Sequence, residues 1–181
     1  ERFTRAIIFV KPELVVVYDR LEAKEPSTYE YWLHAVNKID VENQHRIQVK
    51  SGDVMCDIDF LTPAGLTFAQ TDQYDPNPGP QITLREWHLT AKTVEKRQQT
   101  EFVTVYWPHR ATDTIRKRAI LRSIDGGYAL SVELADKKLT ALLPTDDDTV
   151  MREPDGLTTK GAIKLKLERS DGQPPQIVEI R

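Results

Sequence analysis

Three stretches set an imidazole close to a tryptophan: "TYEYWLHAV" holds His34 two positions after Trp32, "REWHLTA" holds His88 beside Trp87, and "VYWPHR" holds His109 after Trp107. Imidazole titrates near neutrality and ligates metals, so each ring is a candidate for proton transfer or for zinc. Alternation along a strand puts Trp32, His34 and Val36 on one face and Tyr29, Tyr31, Leu33 and Ala35 on the other. His34 therefore sits within a sheet, as a hydrogen-bonded structural residue or as a ligand. His88 alternates away from Trp87 toward solvent, and His109 follows Pro108 at a strand end, where polar residues are expected.

The carboxylates offer fewer openings. Asp19 closes the run "VVVYD" on the face of Val15 and Val17, where an unpaired charge is costly, so a turn amide, Arg20 or Arg5 is its expected partner and a metal the alternative. Asp146, Asp147 and Asp148 in "TDDDTV" present oxygen atoms to a hard cation but lack the glycine and distal glutamate of an EF-hand loop, which leaves a solvated acidic turn. The three Trp and six Tyr residues could stack on sugars, yet most alternate into strands where core packing is the expectation. No glycine-rich phosphate loop, GxSxG elbow or HExxH pair occurs.

The elements that must hold these residues are strands. Thirteen β-type runs, from "TRAIIFV" to "QIVEI", recur at short intervals with Pro and Gly between them, which predicts an all-β fold: a large antiparallel β-sandwich with little or no helix. Lys11-Pro12-Glu13, Ser51-Gly52-Asp53 and Asp125-Gly126-Gly127 read as tight turns. "TVEKRQQTEF" contains helix formers without an apolar stripe and reads as a loop or short helical turn. The Pro-rich stretch from Thr71 to Gln81 reads as an ordered crossover.

Composition bounds the rest. The chain has 181 residues, 39% of them hydrophobic, enough for one sandwich domain over residues 1–181, and no apolar run long enough to span a membrane. Twenty-five basic residues against 28 acidic ones, spread evenly, argue against nucleic acid; "RKRAILR", Arg116 to Arg122, reads as a solvated strand edge. Cys56 stands alone, which excludes an internal disulfide framework. The opening "ERFTRAIIFV" enters a strand directly, so the expectation is a chain that begins mid-protein.

"RAIIFVKPELVVVYDRLEAKEPSTYEYWLHAV", followed by "QTDQYDPNP" and "EWHLTA", resembles the C-terminal β-domain of the heparinase II/III-like polysaccharide lyases. The order carries the likeness: an Arg-led strand, a Lys-Pro turn, a "VVVxD" strand and an aromatic strand ending in Leu-His, here at Arg5, Lys11-Pro12, Asp19 and Leu33-His34. The resemblance is strongest over residues 1–36. It implies a non-catalytic, cleft-supporting module of an α/α-toroid plus β-sandwich carbon–oxygen lyase that cleaves uronic-acid-containing polysaccharides by β-elimination, in the periplasm or secreted. It implies His34 as one ligand of a structural zinc in the intact parent, the others lying upstream, and Asp19 within the same network. It implies no catalytic residue here, no metal held by this chain alone, an acidic polysaccharide and the parent's toroid as partners, and neither nucleic acid nor membrane. An independent carbohydrate-binding module using exposed Trp and Tyr is the competing reading.

Overall fold

The computed structural model describes residues 1–74, 86–113 and 118–181. Most of the Pro-rich stretch, and Arg116 and Lys117 of the basic run, lie outside these residues. The described residues contain no helix, and every strand pairing is antiparallel, as the turn-punctuated runs predict. Where the sequence suggests one sandwich domain, the strands form two compact units, Glu1–Asp113 and Thr114–Arg181.

The first unit contains β1 (Arg2–Val10), β2 (Leu14–Ser27), β3 (Glu30–Ala35), β4 (Asp40–Asn43), β5 (Arg46–Ser51), β6 (Val54–Thr62), β7 (Leu66–Thr71), β8 (Trp87–Thr93) and β9 (Arg97–Arg110). Six of these form one sheet in the order β1-β2-β9-β6-β5-β4, and three form another in the order β3-β8-β7. Between the sheets lie Val17, Tyr31, Ile58, Phe60, Leu89 and Phe102, all buried. Tyr31 meets Phe60 edge-on with ring centroids 5.5 Å apart and Phe102 at 5.6 Å. Side chains of this size each contribute about 1.5–3 kcal/mol on burial, which makes the aromatic centre the anchor of the unit.

"TVEKRQQTEF" is no helical turn. Thr93 ends β8, residues 94–96 turn, and Arg97 begins β9, where Gln99 and Thr100 pair with Glu22 and Leu21 of β2. Helix propensity is worth only a few tenths of a kcal/mol per residue, and the ladder outweighs it.

The second unit contains β10 (Arg118–Ile124), β11 (Gly127–Glu133), β12 (Lys137–Pro144), β13 (Val150–Arg152), β14 (Thr158–Lys160), β15 (Ile163–Arg169) and β16 (Gln176–Ile180). Five strands form a sheet in the order β10-β11-β12-β15-β16, and β13-β14 make a ribbon. Ala129 and Leu142 of the sheet are buried with Met151 of the ribbon and Leu157. β10, which holds Arg118 and Arg122 of the basic run, is an edge strand among the described residues. The Asp125-Gly126-Gly127 turn requires glycine, because Gly127 has φ +154° and a Cβ there would lie 2.2 Å from the Leu143 carbonyl oxygen.

Candidate functional site

β3 is an edge strand whose alternation sets its two faces apart. Tyr31 and Ala35 are buried in the sandwich, while Trp32 and His34 point outward, Trp32 being 53% exposed. His34 stands opposite His88 of β8, with ring centroids 4.9 Å apart, and its Nδ1 lies 3.7 Å from Glu86 Oε2. The Tyr74 ring meets His88 edge-on at 4.2 Å. His88 is thus half-buried between rings instead of facing solvent, and its Nε2 is shielded without a hydrogen bond among the described residues. The pair was hard to see in the sequence because the two histidines are brought together only by strand register.

On the opposite face of β3 a second cluster forms. Arg5 of β1 donates from Nε and Nη2 to the two carboxylate oxygens of buried Asp19, both at 2.7 Å, and its guanidinium sits 5.1 Å from the Tyr31 ring centroid. The hydrogen bond to Asp19 holds the Arg5 pKa above its ordinary value. Tyr31 and Tyr106 join their hydroxyls at 2.6 Å. Burial raises both phenols, and for Tyr106 the neighbouring Tyr31 raises it further. Such phenols are poor bases. The expectation that Asp19 shares a network with His34 is corrected here: Asp19 is engaged by Arg5 over the inner face of β3, whereas His34 lies on the outer one.

A third cluster was missed in the sequence. Asp57 and Asp59 alternate along "CDIDF" with Cys56, Ile58 and Phe60, so both carboxylates occupy the face of β6 turned away from the sandwich core, and both are buried. Gln48 Nε2 donates to Asp57 Oδ1 at 2.6 Å, and His109 Nε2 lies 3.0 Å from Asp57 Oδ2. Arg46 Nε and Trp107 Nε1 donate to Asp59, the latter at 3.0 Å. The Asp59 hydrogen bond holds the Arg46 guanidinium pKa up. His109 Nδ1 lies 2.8 Å from the Arg110 carbonyl oxygen. Both ring nitrogens are engaged, so His109 positions the strand end and offers no nitrogen to a substrate.

A zinc ion takes about four nitrogen, sulfur or oxygen ligands at about 2.0–2.3 Å. Among the described residues no group of three His, Cys, Asp or Glu side chains is arranged to hold a metal. These residues therefore do not fit zinc by themselves; His34 could supply one ligand. Asp146 Oδ1 accepts the backbone N–H groups of Asp148 and Thr149 at 2.8 and 2.6 Å, which makes "TDDDTV" a side-chain-capped turn. Of the tryptophans, Trp107 is buried and Trp87 lies 5.4 Å beneath Lys38 Nζ. No family model matches the chain, and no curated protein matches it.

Proposed function

We propose that this chain is the β-sandwich module of a heparinase II/III-like polysaccharide lyase, walling one side of a cleft for uronic-acid-containing polysaccharides. A helical toroid outside the chain would supply the β-elimination chemistry: a base for the C5 proton, an acid for the leaving oxygen, and groups that neutralise the uronate carboxylate. One observation carries the reading. Phe3, Ile7 and Phe9 of β1 are 64%, 63% and 56% exposed on one face, an apolar row suited to being covered. In this reading His34 is one ligand of a zinc ion whose other ligands come from outside the described residues, and the setting is periplasmic or secreted.

An independent carbohydrate-binding module is the second reading, favoured by exposed Trp32 beside His34. With Trp87 under Lys38 and Trp107 buried, however, the tryptophans make no flat platform. The test measures unsaturated uronate, which absorbs in the ultraviolet, from heparan sulfate and alginate. This chain alone should produce none, and a longer protein carrying a helical toroid should. In that protein His34→Ala should lower zinc content more than uronate affinity. Turnover by the chain alone, or equal zinc content in parent and variant, overturns the proposal. Sugar affinity of the chain alone that Trp32→Ala abolishes would establish the second reading.

A further inference from the structure

Three Asp-Gly steps occur in the chain, Asp125-Gly126, Asp155-Gly156 and Asp171-Gly172, all of them in the second unit. Glycine has no side chain to shield its backbone nitrogen, so that nitrogen can attack the γ-carbon of the preceding carboxyl group. Two freedoms decide whether it does. The glycine N–H must not be tied to an acceptor, and the peptide must be able to turn toward the carboxyl group.

Two of the steps are held. The Gly156 N–H donates to the Glu153 carbonyl oxygen at 3.0 Å, and the Asp155 carboxylate accepts from the Leu157 N–H at 3.2 Å and from Lys166 Nζ at 3.0 Å. At the β10–β11 turn the Gly126 carbonyl oxygen accepts from the Thr145 N–H at 3.0 Å and from its hydroxyl at 3.2 Å. Thr149 packs there so closely that a Cβ on Gly126 would lie 2.5 Å from its Cγ2, and the Ile124–Gly127 pair closes the hairpin. Ring closure at either step therefore waits on local opening of the fold.

Asp171-Gly172 lies in residues 170–175 between β15 and β16, every one of them exposed. Ser170 N–H donates to the Asp136 carbonyl oxygen at 2.9 Å, and the ladder resumes with the Leu167–Gln176 pair; in between, residues 171–175 make no backbone–backbone hydrogen bond among the described residues. A Cβ on Gly172 would meet nothing within 4 Å. Asp171 Oδ1 accepts the Gln173 N–H at 3.0 Å, which folds the carboxyl group back over the Gly172 peptide. We propose that Asp171-Gly172 is a site of spontaneous succinimide formation, so that this chain accumulates isoaspartate there in preference to Asp125 and Asp155. The bond from the Gly172 nitrogen to Asp171 Cγ forms while the protonated carboxyl group loses its hydroxyl, which departs as water with the amide proton. Water then reopens the ring, and its addition at the α-carbonyl carbon routes the chain through the β-carboxyl group and frees an α-carboxylate. The exposed loop has room for the added backbone atom. The inference does not depend on the lyase reading.

The freed α-carboxylate is the group that a protein isoaspartyl methyltransferase esterifies, which supplies the probe: that enzyme with labelled S-adenosylmethionine, followed by peptide mapping. In the folded chain aged at neutral pH, label at residue 171 should exceed label at residue 125 or 155 at least about tenfold, because the other two steps react only when locally open. In guanidinium chloride, where nothing holds Gly126 or Gly156, the three steps should label at comparable rates. Equal labelling of the three steps in the folded chain overturns the proposal. So does an unlabelled residue 171 after ageing long enough to label the unfolded chain. A preference for residue 171 that persists in the unfolded chain would also overturn it, by placing the selectivity in the neighbouring sequence instead of the fold.

Discussion

Arg5 and Asp19 face each other across the β1–β2 ladder and meet through two hydrogen bonds of 2.7 Å, with the carboxylate buried and the guanidinium reaching the edge of the sandwich. The sheet tolerates a charge at Asp19 because the fork of Arg5 satisfies both oxygens.

Removing the cation should therefore cost more than removing the pair. Arg5→Leu leaves an uncompensated buried carboxylate and should destabilise the fold by about 3–5 kcal/mol. The double change Arg5→Leu with Asp19→Leu should recover part of that loss. Urea titrations of the variants check this, and a double variant less stable than Arg5→Leu alone would refute it.

Alkaline pH should act through Tyr31 and Tyr106. Both pKa values are raised in the folded chain by burial, whereas an unfolded tyrosine ionises near about 10. Above that pH the unfolded state releases protons that the folded state retains. The stabilising contribution is thus complete below about pH 10 and is lost as pH climbs past it. Ultraviolet titration of the folded protein should show Tyr31 and Tyr106 among the tyrosines that resist ionisation until unfolding, and Tyr106→Phe should reduce the number that resist.

The Asp57 cluster should prove structural. His109→Ala leaves Asp57 Oδ2 without its ring partner while Gln48 still holds Oδ1, and should cost about 1–3 kcal/mol. Chemical denaturation measures the loss. A variant as stable as the parent would mean that Asp57 and His109 contribute no net stability.

Gly127→Ala should damage the second unit. The added methyl group would meet backbone at 2.2 Å, and the β10–β11 turn would have to open. Limited proteolysis should cut the variant within residues 118–181 under conditions that leave the parent intact.

The fold was legible where one strand face is buried and the other is not. The runs that became β1 to β3 and β5 to β12 show alternating or continuous apolar character, bounded by turns whose chemistry is local. β4 could not be found this way, since Asp40–Asn43 is exposed along its whole length, and β13 and β14 have three residues each. The two faces of the His34 strand were also readable, because alternation alone decides them. The pairing of His34 with His88 was not, since it depends on register between strands more than fifty positions apart. Asp57 and Asp59 did leave a signal: two carboxylates alternating with apolar residues inside a strand need partners, and "YWPH" supplies two of them.

The position of β9 in the six-stranded sheet has a consequence for synthesis. β9 lies between β2 and β6, strands that precede it by many residues. Until the ribosome has released Arg97–Arg110, the β1–β2 hairpin and the β4–β6 meander share no hydrogen-bonded neighbour, and each exposes an unpaired edge. Closing the sheet thus waits on a late, central strand and links residues far apart in the chain, the arrangement in which loop closure slows folding and exposed edges invite aggregation. A nascent chain halted before Arg97 would hold two half-sheets with no strand hydrogen-bonded between them.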